Sequence, residues 1–225
     1  MNRILYHGSK DRIVKPVFGA GRRSNDYGLG FYCTESEELA KEWAVAMDHD
    51  GWANVYSMSD DGLDVLDLNS GRYCLLHWLA ILLENRQFET EYGLPSEAKA
   101  YLTTRFAVPY RSADVIIGYR ADDSYFTFAQ DFISGAISYS QLAAAMRLGH
   151  LGNQYVLKSR RAFERIRHVE SRQAMRTDWL DRKNDRDRAA RQEYLGELRR
   201  RRMPGDLRID RIIDEGIGPD DERLR

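Results

Sequence analysis

The chain is poor in cysteine: Cys33 and Cys74 are its only two. Two thiols make neither a disulfide framework nor a four-ligand zinc site. They read as reduced core thiols of a cytosolic protein. Net charge is also nearly absent, with 34 Lys and Arg against 35 Asp and Glu and a formal charge of −1. That removes any global electrostatic reason for a nucleic-acid or membrane partner and leaves only local patches. Long apolar runs are missing as well. The longest, Trp78 to Leu83, is far too short to cross a bilayer. After Met1 the chain reads Asn-Arg-Ile-Leu-Tyr-His, with no apolar stretch long enough for a signal peptide. A cytoplasmic place with no membrane contact is therefore expected. His49, His150 and His168 have no metal-ligand spacing with Cys or carboxylates, so no metal is expected.

What remains is 225 residues, 43% hydrophobic and 31% charged, enough for one domain with a real core and an extension. Ile4 to His7 and Phe31 to Thr34 read as strands on either side of a polar, glycine-rich loop. Thr34-Glu35-Ser36-Glu37 has the form of a capping box, opening a helix to about Asp48 with Leu39, Trp43, Ala44 and Met47 on one stripe. Residues 52–68 alternate like strands around Asp60-Asp61-Gly62. Tyr73 to Asn85 is an apolar helix in which His77 is a structural residue, and Pro95 to about Phe106 is a second helix. Ala113 to Gly118 and Tyr125 to Phe128 are expected as strands. Ser140 is expected to cap a helix to Leu148, and Gln154 to Leu157 and Ile166 to Val169 to be strands. From Ser171 onward about half the residues are charged. Residues 172–202 suit a long exposed helix ended by Pro204-Gly205, with a frayed acidic stretch from Gly216. The expected division is therefore a domain over 1–170 and a charged, largely helical extension over 171–225.

Two stretches carry chemistry. Tyr6-His7-Gly8-Ser9 is followed by Gly28-Leu29-Gly30-Phe31-Tyr32-Cys33-Thr34 and then by Trp43; much later comes Asn153-Gln154-Tyr155-Val156-Leu157. Taken singly, each has an ordinary structural reading: a satisfied strand histidine, a glycine turn, core aromatics. Taken in order, the set resembles the ADP-ribosyltransferases of the diphtheria-toxin and poly(ADP-ribose) polymerase class. The cholera-toxin branch of that fold places an Arg where His7 stands and a Ser-Thr-Ser strand where Phe31 and Tyr32 stand, so the chain is similar to the His-Tyr branch. The RNA 2′-phosphotransferases also begin with His-Gly, but their Arg and His series has no match here.

The resemblance implies NAD as co-substrate and cleavage of its nicotinamide–ribose bond through an oxocarbenium-like centre. It places His7 on a ribose hydroxyl of the adenosine half and Gly8, through its backbone, on the nicotinamide carboxamide. Ser9 adds a carboxamide contact through its hydroxyl. Tyr32 stacks on nicotinamide, and Trp43 stands where the polymerase-like members carry a second Tyr, offering a stronger π face. Gln154 occupies the position of the catalytic Glu. A Gln can bind a ribose hydroxyl but brings no negative charge, and losing one such group costs about 2.7–4 kcal/mol of transition-state stabilisation. Asp122 and Asp123 are the acids expected to compensate, though such pairs are more often turn residues. Arg22, with Arg23, could clamp the pyrophosphate, and Asn25 could assist. The run Arg199 to Arg202 has a solvated helix end as its ordinary reading and a phosphate contact as its sharper one.

The expectation is thus an α+β fold, an ADP-ribosyltransferase-like split β-sandwich around an NAD cleft with flanking helices. Its activity would be that of a toxin-like mono-ADP-ribosyltransferase acting on a macromolecular acceptor, protein or nucleic acid. Gln154 argues against polymer synthesis. It keeps open two alternatives, an NAD glycohydrolase and a non-catalytic NAD-binding module. The charged extension is expected to dock on an antitoxin or on a second copy of the chain.

Overall fold

Strand β1 (Asn2–Ser9) pairs along its whole length with β3 (Gly51–Ser59), from Asn2 opposite Ser59 to Ser9 opposite Trp52. This computed structural model describes residues 2–120, 123–148, 151–199 and 205–225, with backbone alone at 123–124 and 197–199. The remaining strands are β2 (Phe31–Thr34), β4 (Val65–Asp67), β5 (Val115–Tyr119), β6 (Asn153–Leu157) and β7 (Ile166–Ala174). They form one mixed, seven-stranded sheet in the order β4-β5-β6-β2-β1-β3-β7, with β4 and β5 parallel and every other pair antiparallel. The fold class is α+β.

The sheet has one weak seam. β2 pairs with β6 over four positions, Phe31 with Leu157 through Thr34 with Gln154. Between β1 and β2 the register holds at Tyr6 and Thr34 alone. The half-sheets β4-β5-β6-β2 and β1-β3-β7 therefore share one residue pair, and the strands part beside His7 and Tyr32.

Helix α1 (Glu37–Ala44) crosses β1 closely. A Cβ added to Gly8 would come within 2.0 Å of the Ala40 carbonyl oxygen, so only glycine permits this approach. The N-cap is Ser36, whose Oγ accepts from Leu39 N at 3.2 Å; Thr34, the expected cap, instead accepts from Ser36 N at 3.2 Å. The helix ends at Ala44 rather than near Asp48, and Met47 is 73% exposed, off the expected stripe. Residues Val45 to Asp50 turn back instead, joined by a bridge between Ala46 and His49.

Helix α2 (Leu75–Asn85) is apolar on every side, and all residues from Leu75 to Leu83 are buried. Such a helix belongs at the centre of a core. Around it stand α3 (Gly93–Arg105), α4 (Asp123–Ile133) and α5 (Tyr139–Ala145). The strand expected over Tyr125 to Phe128 is instead part of α4. Tyr125, Phe128, Ala129, Phe132 and Ile133 are all buried, a spacing of three and four that only a helix presents on one face. Ser138, not Ser140, caps α5, accepting from Gln141 N at 3.3 Å. The other sheet face is covered by a smaller cluster of Leu5, Phe31, Tyr56, Tyr155 and Leu157 against α6 (Arg160–Glu164).

The boundary expected at 171 falls inside β7, where Ser171 pairs opposite Asn54. Beyond it α7 (Arg176–Arg199) is charged and mostly exposed, yet it lies on the domain rather than apart from it. Tyr194 packs 3.8 Å from Phe128 between ring centres and donates to Asp131 Oδ2 at 2.5 Å. Arg186 Nε meets the buried Glu42 Oε2 at 2.8 Å. The stretch from Gly216, expected to fray, is also held in place. Leu207, Ile209, Ile212, Ile217 and Leu224 join the main core, the middle pair from α8 (Ile209–Asp214) and the last from a 3-10 turn (Glu222–Leu224). Arg199 to Arg202 lie beyond the side chains described, as does His150. Among the described residues no helix is long and apolar enough to cross a membrane, and no group of three His, Cys, Asp or Glu side chains could hold a metal ion.

Candidate functional site

At the seam between the half-sheets lies a cavity of about 230 Å3. Four segments meet there: the end of β1 with His7 and Gly8, the loop and strand carrying Asn25, Asp26 and Tyr32, Trp43 of α1, and Gln154 of β6. Arg86 and Arg120 complete the lining. Of the residues singled out by sequence, His7, Gly8, Asn25, Tyr32, Trp43 and Gln154 are thus brought together.

His7 is tied by Nδ1 to the Tyr32 carbonyl oxygen at 2.6 Å. A carbonyl can only accept, so Nδ1 carries the proton and Nε2 is left as an acceptor. Burial pushes the His7 pKa down, and the bond to Tyr32 only partly opposes this. The ring is neutral and stacks at a tilt on Phe31, 4.3 Å between centres. Tyr32 is anchored at its far end: its hydroxyl donates to Gly28 O at 2.5 Å and accepts from Tyr27 N at 3.1 Å. Burial, aided by the nearby Asp26, pushes its pKa up. Gly28 itself sits at φ +74°, a left-handed turn that glycine adopts without strain. Tyr32 therefore contributes a ring face, not an acid or a base.

The indole of Trp43 carries the Arg120 guanidinium over it, 3.4 Å from carbon to ring centre. Among the described residues its buried Nε1–H has no hydrogen-bond partner, and neither has Oε1 of Gln154, a side chain 6% exposed. A buried donor and a buried acceptor left unmatched each cost about 1–3 kcal/mol. Both side chains line the cavity, and a polar ligand that reached these atoms would remove the cost.

Asp26 was missed by sequence reasoning. It is 5% exposed, lines the cavity and pairs with Arg86, Nη1 to Oδ1 at 3.3 Å. Nothing marked it: Asp26 and Arg86 lie far apart in the chain, and a loop aspartate beside an asparagine reads as a turn. Arg120 was likewise unmarked, standing next to the two acids that were chosen.

Other expected residues stand elsewhere. Ser9 does not line the cavity. Its hydroxyl donates to Asp11 O at 2.7 Å and accepts from Asn54 Nδ2 at 2.8 Å, inside a network that also holds Ser171. Arg22 and Arg23 are exposed and outside the lining. For Gly8 the missing Cβ is accounted for by α1 rather than by a ligand. Asp122 and the side chain of Asp123 lie outside the described residues; the backbone of Asp123 opens α4.

In comparisons with known proteins, residues 3–168 match the model of a family described as "Protein of unknown function (DUF3990)". No curated protein and no solved structure matches the chain.

Proposed function

For this chain, which belongs to the DUF3990 family of proteins of unknown function, we propose an NAD-dependent mono-ADP-ribosyltransferase, toxin-like and intracellular. The fold would be the ADP-ribosyltransferase-like split sandwich, its split being the seam at Tyr6 and Thr34. One observation carries the reading. His7, Tyr32, Trp43 and Gln154, set by sequence order to bind NAD, converge on one cavity, and two of them hold buried polar atoms unmatched among the described residues.

The residues fit the ligand. His7 Nε2 accepts a ribose hydroxyl. Gln154 Oε1 accepts another, and the Trp43 N–H supplies a donor. The ring face of Tyr32 suits a flat pyridinium, while Trp43 holds the Arg120 guanidinium over its ring beside the same cavity. Asp26 supplies the negative charge that Gln154 lacks, at a wall of the same cavity. In the reaction the C–N bond to nicotinamide breaks and its electron pair leaves with the neutral base. An acceptor oxygen or nitrogen bonds the ribose carbon and loses its proton.

Labelled NAD is the test, with and without lysate, using the wild type, His7→Ala and Gln154→Ala. Label carried into macromolecule by the wild type and lost in both variants supports the reading. Unaltered labelling in both removes the site assignment. The neutral Gln154 favours a second reading, an NAD-binding module without turnover. Calorimetric NAD binding abolished in His7→Ala, with no nicotinamide released under any condition, selects it. Nicotinamide released without labelled macromolecule selects an NAD glycohydrolase.

A further inference from the structure

Neighbouring residues at the end of β5 face different cavities. Arg120 lines the first, and Tyr119 lines a second that is larger, about 470 Å3. Arg72 and Arg147 stand on the wall of this second cavity, and Arg225 adds a third guanidinium. None of the three takes part in an ion pair among the described residues. By contrast, Arg86, Arg111, Arg161, Arg172 and Arg186 are all matched with carboxylates. Among the described residues the single carboxylate side chain on the wall is Asp220.

Three tyrosines, Tyr73, Tyr119 and Tyr139, share the wall with small and aliphatic residues. Tyr73 is held edge-on to His77, 5.2 Å between centres, and Tyr119 edge-on to Trp78 at 6.0 Å. Tyr139 is fixed by its hydroxyl, which donates to the Leu224 carbonyl at 2.8 Å. These rings are therefore oriented before any ligand arrives, and binding to them forfeits little side-chain freedom. Unmatched guanidinium forks suit phosphate oxygens. Fixed tyrosine faces suit stacked bases, worth about 1–3 kcal/mol per base. The volume lies within the roughly 300–1,000 Å3 of ordinary ligand sites. An acidic peptide would use the arginines but leave the rings without a role.

We propose that this cavity is the acceptor site and takes a nucleotide unit of a single-stranded nucleic acid, with phosphate on Arg72 and Arg147 and the base against the tyrosines. The binding part stands by itself; the word acceptor rests on the NAD reading above. The near-zero net charge does not oppose it, since the attraction is local to this wall.

The test uses the full chain and a fluorescein-labelled, mixed-sequence single-stranded oligonucleotide, read by anisotropy at two salt concentrations. Saturable binding that weakens with salt is expected, with a loss of about tenfold or more in the Arg72→Ala/Arg147→Ala double variant. Arg167→Ala, on exposed β7, serves as the control and keeps wild-type affinity. Tyr73→Leu is expected to weaken binding while leaving the salt dependence in place. Binding that is absent in the wild type, equal in the double variant, or displaced by poly-glutamate as readily as by unlabelled oligonucleotide overturns the proposal. NAD binding is followed separately by tryptophan quenching, so a failure of the NAD reading shows itself there. With labelled NAD added, transfer to the oligonucleotide that disappears in the double variant supports the acceptor role. Transfer confined to protein, or surviving in the double variant, refutes it.

Discussion

His7 reaches the backbone carbonyl of Tyr32, not its ring, with Nδ1 2.6 Å from that oxygen. The contact sets the imidazole tautomer from one strand and the ring position from the other, across the seam between them.

A pH dependence follows. Burial lowers the His7 pKa below the ordinary value of about 6.5, so the unfolded chain binds this proton more readily than the folded one. Stability from this group is full above about pH 6.5 and falls as pH drops below it. His77 is shifted the same way by burial. Nitrogen-detected NMR is expected to find His7 neutral at pH 7 with Nε2 unprotonated. His7→Asn should flatten the acid side of the denaturation profile; an unchanged profile together with a protonated His7 at pH 7 would refute the assignment.

Asp26→Asn keeps the side-chain shape and removes one charge from the cavity wall. Transition-state groups of this kind are worth on the order of 10²-fold in rate. Turnover of NAD should fall by about that factor, with NAD affinity changed far less. Parallel kinetics and calorimetry check the split; an equal loss in both would make Asp26 a structural partner of Arg86 only.

Gly8→Ala sets a methyl group 2.0 Å from the Ala40 carbonyl oxygen. Backbone cannot yield as a side chain can, so α1 must shift. Overpacking of this kind costs about 1–3 kcal/mol. Urea denaturation should show that loss. NAD affinity should fall with it, because α1 carries Trp43 into the cavity.

Ile212→Ala probes the C-terminal segment. Ile212 is wholly buried in the main core. Truncating such a residue costs about 2–5 kcal/mol. A matching drop in the denaturation midpoint is expected. Removing everything after Ala174 should leave no cooperative transition; a truncated chain that unfolds cooperatively would show the segment to be dispensable.

Much of this architecture is legible in the residues themselves. β2 and β6 stand where alternation and turn residues put them, and α2 announces itself by an apolar run too long for a strand. His7, Tyr32, Trp43 and Gln154 were findable because their order and local context travel together. What was hidden depends on tertiary pairing. Tyr125 to Phe128 is as rich in aromatics as a strand, and only the buried Phe132 and Ile133 complete its helical period. In the C-terminal segment the apolar residues Leu207, Ile209, Ile212, Ile217 and Leu224 are spaced among charges, so composition hides the face they share. Asp26 becomes informative only once Arg86 is seen beside it.

The seam has a further meaning for how the molecule comes into being. Strands β1, β3 and β7 lie on one side of it and β2, β4, β5 and β6 on the other, so the chain passes back and forth between the two. Neither side is a continuous stretch that could be made first and wait for its complement. Gln154 arrives late, and core residues as late as Leu224 seal the helices behind it. A nascent chain on the ribosome therefore has no finished cleft until the residues through Leu224 have emerged, and whatever chemistry the cleft performs waits for them.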